Sequence, residues 1–431
     1  MIKLSLIKNF IIYGLALGLS KLALIAILPF ITQVISVENF GSIELIQSIY
    51  NILLVFGILQ LDSSLQRYYD HKSMDRSKLF NTILFMTFLL SFSLVVIVNI
   101  ALFICEFDTK VSILISVSLL LITSNITTLY LILIRYEGKV ILLSVLVMLQ
   151  VLIQTFFLWY FIIYNLYSYD YYFISLLIGN VFICLALMLF SKIKITMRFD
   201  KKCFFILFPY AWPQVPARII SSLSQNVVRF FIGAISFFAL GIYSASFKIA
   251  SISQIIYLSF NMAWGPFVFK KINDRDYHKF KEINFYILMI VSVFVILAML
   301  LSGPVARLLL DPKYYEAIKF IPLYFTCNII FIVKDSIDIG TKTTEKTKSI
   351  SYVYVISFSI AFLAFSFLYY FGVEDLFIYG TVQFICGYLI LIFTLVNSER
   401  LHFVGFSKQN YFMPLVLYFS CFFQYKFNLY L

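Results

Sequence analysis

Long apolar runs separated by short polar loops dominate this sequence and restrict its fold more than any other feature. A helix needs about 20 apolar residues to cross the hydrocarbon core of a bilayer. Twelve runs meet that length: 9–36, 42–66, 79–105, 111–134, 140–164, 171–191, 204–232, 239–263, 284–303, 316–338, 351–371 and 376–397. The run Tyr411–Tyr425 is short, so it is either a thirteenth span or an interfacial helix. Because backbone polar groups in lipid must bond within their own segment, the runs predict an all-α polytopic membrane protein.

Composition excludes the soluble classes of protein. The chain is 62% hydrophobic and 13% charged, whereas soluble domains are about 45–50% apolar and about 25% charged. So few charges cannot cover a water-facing surface, which excludes a soluble enzyme, a nucleic-acid-binding module and a disordered protein. The net charge of +12 is spread over short loops and indicates no nucleic-acid partner. The six cysteines form no CxxC motif, so we expect neither a disulfide framework nor a bound metal, and no cofactor.

The distribution of Lys and Arg predicts the orientation of the chain. With the N-terminus in the cytoplasm, the inside loops hold about 23 Lys and Arg residues and the outside loops about four, which is the positive-inside pattern. We therefore expect a cytoplasmic N-terminus.

A weak internal repeat predicts the domain organisation. The segment NFGSIELIQSIYNILLVFGILQ, from Asn39, aligns with LGIYSASFKIASISQIIYLSF, from Leu240. Six spans separate the copies, so both halves enter the membrane in the same direction, and a cavity is expected between them. The predicted parts are a six-helix bundle over 1–195, a basic cytoplasmic linker over 196–203, a second six-helix bundle over 204–400 and a tail over 401–431.

Four of the basic residues inside predicted spans are candidates for a binding cavity. A charge at the bilayer centre costs at least ~2.5–3.5 kcal/mol on insertion scales, so it normally faces a bundle interior or a watery cavity. Lys21 and Arg218 lie near the midplane, Lys248 in the outer half of its span, and Arg229 close to an outer end. Together they predict a cationic cavity for an anionic substrate. The alternative is that each pairs with an acid for helix packing or snorkels to an interface.

Polar residues accompany these charges at helical spacing. Ser222 and Gln225 share one helix face with Arg218 and Arg229. Glu44, Gln47 and Asn51 form a similar stripe in the second span. We expect Gln47, Asn51 and Gln225 to line the same cavity.

Four acidic residues are candidates for gating or ion coupling. Glu44 is expected near the outer mouth, and Asp62, Asp335 and Asp338 near the inner mouth. Asp335 and Asp338 are three residues apart and should share a helix face. The alternative is that these acids lie at interfacial span ends and meet Lys334 or loop lysines. In the seventh span, the prolines of FPYAWPQVPAR predict a bend and a hinge.

Three segments carry a resemblance to a known family. They are GIYSASFKI (Gly241–Ile249), FNMAWGPFVFKK (Phe260–Lys271) and FGSIELIQSIYNILLVFGILQLDSSLQRYYD (Phe40–Asp70). They resemble the GIYS-x-x-x-K-I and AW-x-PF segments and the second span of the polysaccharide flippases, within the multidrug/oligosaccharidyl-lipid/polysaccharide (MOP) exporter superfamily. The sequence is most similar to the O-antigen (Wzx-type) flippases.

The resemblance implies a bacterial inner-membrane protein that moves an undecaprenyl-diphosphate-linked oligosaccharide to the periplasmic leaflet. The family's cationic cavity would fall on Lys21, Arg218 and Lys248. Members often carry Asp-Arg in the seventh span. The segment QNVVRF around Arg229 departs from this, so Arg229 has no acid partner nearby in sequence.

These observations predict a non-enzymatic flippase that works by alternating access, with a proton or sodium ion as the coupling ion. Its partners would be the lipid-linked oligosaccharide, membrane lipids, an O-antigen polymerase and a chain-length regulator. The alternatives are a flippase for another lipid-linked glycan, a cation-coupled drug exporter, and an O-antigen polymerase or glycosyltransferase. The last class needs a sizeable outside loop with catalytic groups, and the outside loops offer only the paired acids of CEFD (Cys105–Asp108).

Overall fold

The computed structural model describes residue 25 and residues 28–69, 74–106, 110–164, 169–196, 198–273, 277–344 and 348–428. Within these ranges the chain forms helices and no β-strand. The α-helices in chain order are α1 (Leu28–Val34), α2 (Val37–Ile58), α3 (Leu61–Tyr68), α4 (Arg76–Ile104), α5 (Val111–Tyr136), α6 (Val140–Ile163), α7 (Tyr169–Phe190), α8 (Lys201–Ala211), α9 (Val215–Ile235), α10 (Phe237–Ala250), α11 (Ile252–Asn273), α12 (His278–Leu309), α13 (Ile321–Ile337), α14 (Ile339–Thr344), α15 (Lys348–Tyr370), α16 (Leu376–Leu401) and α17 (Gln409–Phe427). The 3₁₀ segments Trp212–Gln214 and Pro312–Phe320 precede α9 and α13.

Ten of the predicted spans have a counterpart among the described helices. Nine segments are long and apolar enough to cross a membrane: Val37–Ile58, Arg76–Ile104, Val111–Tyr136, Ile141–Ile163, Asp170–Phe190, His278–Leu309, Pro312–Ile337, Tyr352–Tyr370 and Leu376–Leu401. A tenth is the pair Phe237–Ala250 and Ile252–Asn261, bent by 42°. The predicted run 9–36 lies mostly outside the described residues. The run Tyr411–Tyr425 is helical as part of α17 but is not among these segments. The all-α polytopic class is thus confirmed.

The seventh predicted span, 204–232, is not one continuous helix. Pro209 lies inside α8, Pro213 in the 3₁₀ segment, and Pro216 in the first turn of α9. Proline cannot donate the backbone hydrogen bond that continues a helix, so three in eight residues interrupt the ladder. The 3₁₀ segment is the observed interruption, and the bend and the hinge stay predictions.

The second predicted span, 42–66, is present as α2 but ends earlier, at Ile58. The chain breaks at Leu59 and Gln60, which take the left-handed φ values of 42° and 61°. For residues other than glycine this conformation costs roughly 1–2 kcal/mol each. Just before the break, Gly57 packs closely on α5, since a Cβ there would lie 2.2 Å from Nδ2 of Asn125. Positions 59 and 60 hold neither glycine nor proline, so no local sequence pattern predicts the break.

The described residues divide into two compact units. The first comprises residues within 46–226 and the second those within 25–45 and 227–428. In the first unit, the buried rings of Phe80 and Tyr130 meet edge to face at 5.0 Å. In the second, α13 belongs to the most buried of the candidate spans, because it packs against α10, α11, α12, α16 and α17. The predicted division into bundles at 1–195 and 204–400 stays a prediction.

Candidate functional site

Two glycines set how closely α2 and α10 approach within the second unit. A Cβ on Gly41 would lie 2.1 Å from the carbonyl oxygen of Phe237, and a Cβ on Gly241 would lie 2.1 Å from that of Val37. Small residues of this kind let membrane helices meet backbone to backbone. Glu44 follows Gly41 by three residues and Lys248 follows Gly241 by seven, which places both on the crossing faces.

Glu44 lies between two cations that come from α9 and α10. Nζ of Lys248 is 2.7 Å from Oε1 of Glu44, and Nε of Arg229 is 3.8 Å from Oε2. Glu44 is 4% exposed, whereas the Arg229 and Lys248 side chains are 13% and 27% exposed. The three side chains, here called the Glu44 triad, together carry two positive charges and one negative charge. All three belong to the second unit.

Aromatic rings complete the surroundings of both cations. Nζ of Lys248 lies 4.6 Å from the centre of the Phe40 ring, and the Arg229 guanidinium lies 5.1 Å from that of Phe247. A cation over a ring face gains ~0.5–1 kcal/mol where exposed and about 2 where desolvated. The rings therefore stabilise positive charge at a position where ion pairing alone would have to overcome a large desolvation cost.

The structure gives Arg229 an acid partner that the sequence around it lacks. Glu44 lies on α2 and reaches Arg229 only through the packing of α2 with α9 and α10. Lys21, by contrast, falls outside the described residues. Arg218 is exposed on α9, belongs to the first unit, and forms no ion pair with the described acidic residues. The convergence of Lys21, Arg218 and Lys248 therefore stays a prediction.

The three predicted polar cavity residues all lie in the first unit. Gln47 and Asn51 are half-buried, and the main-chain carbonyl of Asn51 accepts a hydrogen bond from Oγ of Ser222 at 3.4 Å. Gln225 is exposed, and its Nε2 donates to Oγ of Ser221 at 3.5 Å. The structure thus joins Asn51 to the polar face of α9, and the role of these residues in a cavity stays a prediction.

Asp335 and Asp338 have partners at the end of α13. Asp335 pairs with Nζ of Lys334 at 2.5 Å and accepts a hydrogen bond from the Tyr257 hydroxyl at 2.9 Å. Asp338 accepts one from the Thr341 hydroxyl. Asp338 is the C-cap residue of α13, and its ψ of 58° turns the chain before α14 begins. The shared helix face of the two aspartates stays a prediction.

Several polar residues around this break were not singled out from the sequence. The indole nitrogen of Trp264 and Nζ of Lys342 both donate to the main-chain carbonyl of Asp335, at 2.9 and 3.2 Å. Oγ of Ser398 accepts from the backbone nitrogens of Ile339 and Gly340 at 3.1 and 2.8 Å. Of these residues, only Trp264 belongs to a motif that the sequence showed, the AW-x-PF segment. The others become visible only once α14 and α16 are packed together.

Asp62 differs from the other three acidic candidates. It is 6% exposed, and its Oδ1 has no hydrogen-bond partner among the described residues. It lies in the first turn of α3, directly after the left-handed pair Leu59 and Gln60. In the part of the chain that the structure describes, no three His, Cys, Asp or Glu residues converge as a metal-binding group would require.

Comparison with known proteins identifies the family of this chain. The family model described as "Polysaccharide biosynthesis protein" matches residues 6–272, which is more than half of the chain. The chain belongs to this family. A second model, MatE, matches residues 213–368. No curated protein matches the chain.

Solved structures show the fold that this polysaccharide biosynthesis protein shares. It is similar to the lipid II flippase MurJ in an inward closed conformation, with a TM-score of 0.71 and 15% identity over 97% of this chain and 93% of that chain. It is also similar to an inward-facing MATE-family transporter of the MOP superfamily, with a TM-score of 0.62 and 14% identity over 94% of each chain. For a mutant of the Vibrio cholerae MATE transporter VcmN, the TM-score is 0.58 and the identity 13%, over 95% of this chain and 99% of that chain. The predicted resemblance to the polysaccharide family of the MOP superfamily is confirmed. The chain is a multi-pass membrane protein that shares the fold of MurJ and the MATE transporters.

Proposed function

We propose that this protein flips an undecaprenyl-diphosphate-linked O-antigen repeat unit from the cytoplasmic to the periplasmic leaflet of a bacterial inner membrane. The N-terminus would be cytoplasmic, the mechanism alternating access driven by a coupling ion, and no bond would be made or broken. The observation that carries the proposal is the Glu44 triad, which holds two cations around one carboxylate beside apolar spans. An O-antigen polymerase and a chain-length regulator would act on the product.

The charge balance of the triad suits a diphosphate. A phosphate group offers several strong acceptor oxygens, which an arginine fork can bind in pairs and a lysine can bind as a point charge. Without substrate, Glu44 partly neutralises Lys248 and Arg229 and so lowers the cost of keeping them away from water. A diphosphate that approaches the pair would compete with Glu44. Transport further requires that its affinity differ between the inward and outward states.

A second candidate substrate is another lipid-linked glycan, such as a peptidoglycan precursor, capsule unit or exopolysaccharide unit. The similarity in fold to a lipid II flippase favours this class as well. A cation-coupled drug exporter is less favoured, because the surplus positive charge of the Glu44 triad repels cationic substrates.

The decisive experiment uses a deletion strain of the native host. Undecaprenyl-linked glycans are extracted, and the leaflet that holds them is determined. We expect complete repeat units to accumulate on the cytoplasmic side while surface polysaccharide is lost. Polysaccharide capped at one repeat unit would indicate a polymerase instead, and an unchanged glycan profile would favour drug export. Accumulated lipid II or capsule units would identify the second candidate.

Variants then test the cationic site in the complemented strain. We expect Lys248→Met with Arg229→Met to abolish surface polysaccharide at normal protein level, and Arg218→Ala to do the same, with Arg218→Lys retaining part. The matched control is Lys110→Met, because Lys110 is an exposed lysine that also pairs with an acid, Asp170, at 3.4 Å. Near-normal polysaccharide in the Arg218 and triad variants would contradict the cationic-site proposal.

A further inference from the structure

We propose that α17 is a further membrane span, and that its exposed phenylalanine face contacts the acyl chains of the bilayer. The sequence leaves the run Tyr411–Tyr425 open as a span or an interfacial helix, and α17 is not among the segments that are apolar enough to be assigned as spans. The inference does not depend on the proposed function. It is argued from the contacts of α17 within the second unit.

The contacts of α17 with α12 extend over most of the length of α17. Near the start of α17, Nδ2 of Asn410 donates to Oδ1 of Asn284 at 2.9 Å. Near its end, Nε2 of Gln424 donates to the main-chain carbonyl of Met299 at 2.8 Å. At a rise of about 1.5 Å per residue, the two contacts lie about 21 Å apart along α17 and about 22 Å apart along α12. The two helices therefore run side by side in the same direction.

The contacts of α17 with α16 follow the opposite direction. The Tyr388 hydroxyl donates to the main-chain carbonyl of Tyr411 at 2.9 Å, and the rings of Phe377 and Tyr425 stack at 4.2 Å. The start of α17 thus lies beside the middle of α16, and its end lies beside the first turn of α16. Since α12 and α16 are both candidate spans, a helix that lies along both of them cannot lie in the plane of the interface.

The polar residues that lower the hydropathy of α17 face the protein. Asn410 and Gln424 are 0% and 5% exposed, and their side-chain amides are the donors in the two contacts with α12. Polar side chains inside a membrane normally face the bundle interior in this way. The surface that α17 presents to its surroundings is therefore more apolar than the composition of the helix indicates.

The opposite face of α17 is apolar and exposed. Its side chains are 52–64% exposed and recur at helical spacing, at Phe412, Val416, Phe419, Phe423 and Phe427. The only charged residue of α17 is Lys426, in its last turn, and Lys408 precedes the first turn. An interfacial helix requires a strongly charged or polar face, and α17 has none. A lysine at each end with phenylalanines between them suits a span surrounded by acyl chains.

The length and direction of α17 place its two ends on opposite sides of the membrane. Its 19 residues extend over about 28 Å, close to the ~30 Å of the hydrocarbon core. It begins at the end of the unit where α12 begins and α16 ends, which also carries Lys279, Lys281 and Arg400. The positive-inside pattern predicts that this end is cytoplasmic. Lys426 then lies at the outer side.

Cysteine labelling of the full-length protein tests the span. Cys105 is exposed, whereas the other five cysteines are buried or half-buried, so Cys105→Ser is the background and its labelling is the blank. Lys408→Cys and Lys426→Cys each replace an exposed lysine. A membrane-impermeant maleimide is added to right-side-out and to inverted membrane vesicles. We expect it to label Lys426→Cys only in the former and Lys408→Cys only in the latter.

Two matched controls lie at exposed positions beside the neighbouring spans. Lys281→Cys, at the start of α12, should be labelled from the same side as Lys408→Cys. Glu374→Cys, just before α16, should be labelled from the same side as Lys426→Cys. Labelling of Lys408→Cys and Lys426→Cys from one and the same side would overturn the span.

A spin label on Phe419→Cys tests what covers the exposed face. The Cys105→Ser protein that carries it is reconstituted in vesicles of phosphatidylethanolamine and phosphatidylglycerol. Collisions of the label with oxygen, which concentrates in hydrocarbon, and with a water-soluble nickel chelate are then measured. We expect frequent collisions with oxygen and few with nickel, and the reverse for a label on Lys408→Cys. Access of nickel to position 419 would indicate an interfacial helix, and shielding from both reagents would indicate a second copy of the chain. Either result would overturn the proposal.

Discussion

Gly41 and Gly241 lie at matching positions of the two copies of the predicted repeat, and each packs against the backbone of the other's helix. A Cβ on either residue would lie 2.1 Å from a carbonyl oxygen of the partner helix. The contact thus has an approximate two-fold character within one compact unit. It also brings Glu44 within 2.7 Å of Lys248.

The first prediction concerns this crossing. Gly41→Ala and Gly241→Ala should each push α2 and α10 apart, because a backbone carbonyl cannot move aside as a flexible side chain can. Overpacking typically costs about 1–3 kcal/mol, so we expect a lower thermal midpoint and a lower yield of monodisperse protein in detergent. The control is Gly387→Ala, where the nearest atom, Cγ2 of Ile330, would lie 3.6 Å from the new Cβ. Equal reductions of the thermal midpoint in all three variants would contradict the close packing of α2 against α10.

The second prediction concerns the carboxylate of the Glu44 triad. Glu44→Gln should leave Lys248 and Arg229 as two neighbouring cations with little exposure, and breaking a buried ion pair costs about 3–5 kcal/mol. The control Glu38→Gln changes an exposed residue of the same helix. Its free energy of unfolding should stay within about 0.5 kcal/mol of the wild-type value.

A double-mutant cycle measures the coupling between Glu44 and Lys248. If the pair interacts as the 2.7 Å distance indicates, Glu44→Gln combined with Lys248→Met should be less destabilising than the sum of the two single variants. Additive thermal shifts in the cycle would mean that the pair contributes no interaction energy.

Sequence patterns were sufficient for the class of protein and for most of its spans, because a span is a local property of about 20 residues. The Glu44 triad could not be predicted from such patterns, because its residues come from three different helices. Mid-span cations were visible in the sequence, but their shared partner comes from another helix, and only packing joins them. The break at Leu59 and Gln60 was invisible for a related reason, since no glycine or proline causes it. Asp62 was one of four similar acids until the partners of the other three were known.

The third prediction concerns Ser398, whose hydroxyl group holds the junction of α13 and α14. It accepts hydrogen bonds from the nitrogens of Ile339 and Gly340 and donates to the carbonyl of Ile337 at 2.7 Å. Ser398→Ala would leave these buried backbone groups without a side-chain partner, at about 1–3 kcal/mol for a buried unsatisfied group. We expect a clearly lower thermal midpoint in detergent.

The matched control for Ser398 is Ser359→Ala. Ser359 is exposed, and its hydroxyl donates only to the carbonyl of Val355 in its own helix. Removing it should leave the midpoint nearly unchanged, within about 0.5 kcal/mol. A Ser398→Ala protein as stable as the control would show that the junction does not depend on the hydroxyl.

The last prediction is a pH dependence at Lys342, in the short helix α14 that follows the span ending at Ile337. Burial lowers the pKa of Lys342, although the carboxylates of Asp338 and Asp335 oppose this effect. Between the lowered pKa and the usual value near 10.5, the unfolded chain binds more protons at this site than the folded chain. The free energy of unfolding contributed by Lys342 must therefore rise with pH through that window.

Lys342→Gln removes this contribution. Thermal midpoints of wild type and variant, measured from neutral pH to about pH 10.5, should show the variant gaining relative stability at the neutral end and losing that advantage as pH rises. Other titrating groups are common to both proteins and cancel in the difference. In the control Lys408→Gln, which changes an exposed lysine, the thermal midpoint should change with pH in parallel with that of the wild type. A Lys342→Gln curve that is also parallel to the wild type would mean that Lys342 titrates alike in the folded and unfolded chains.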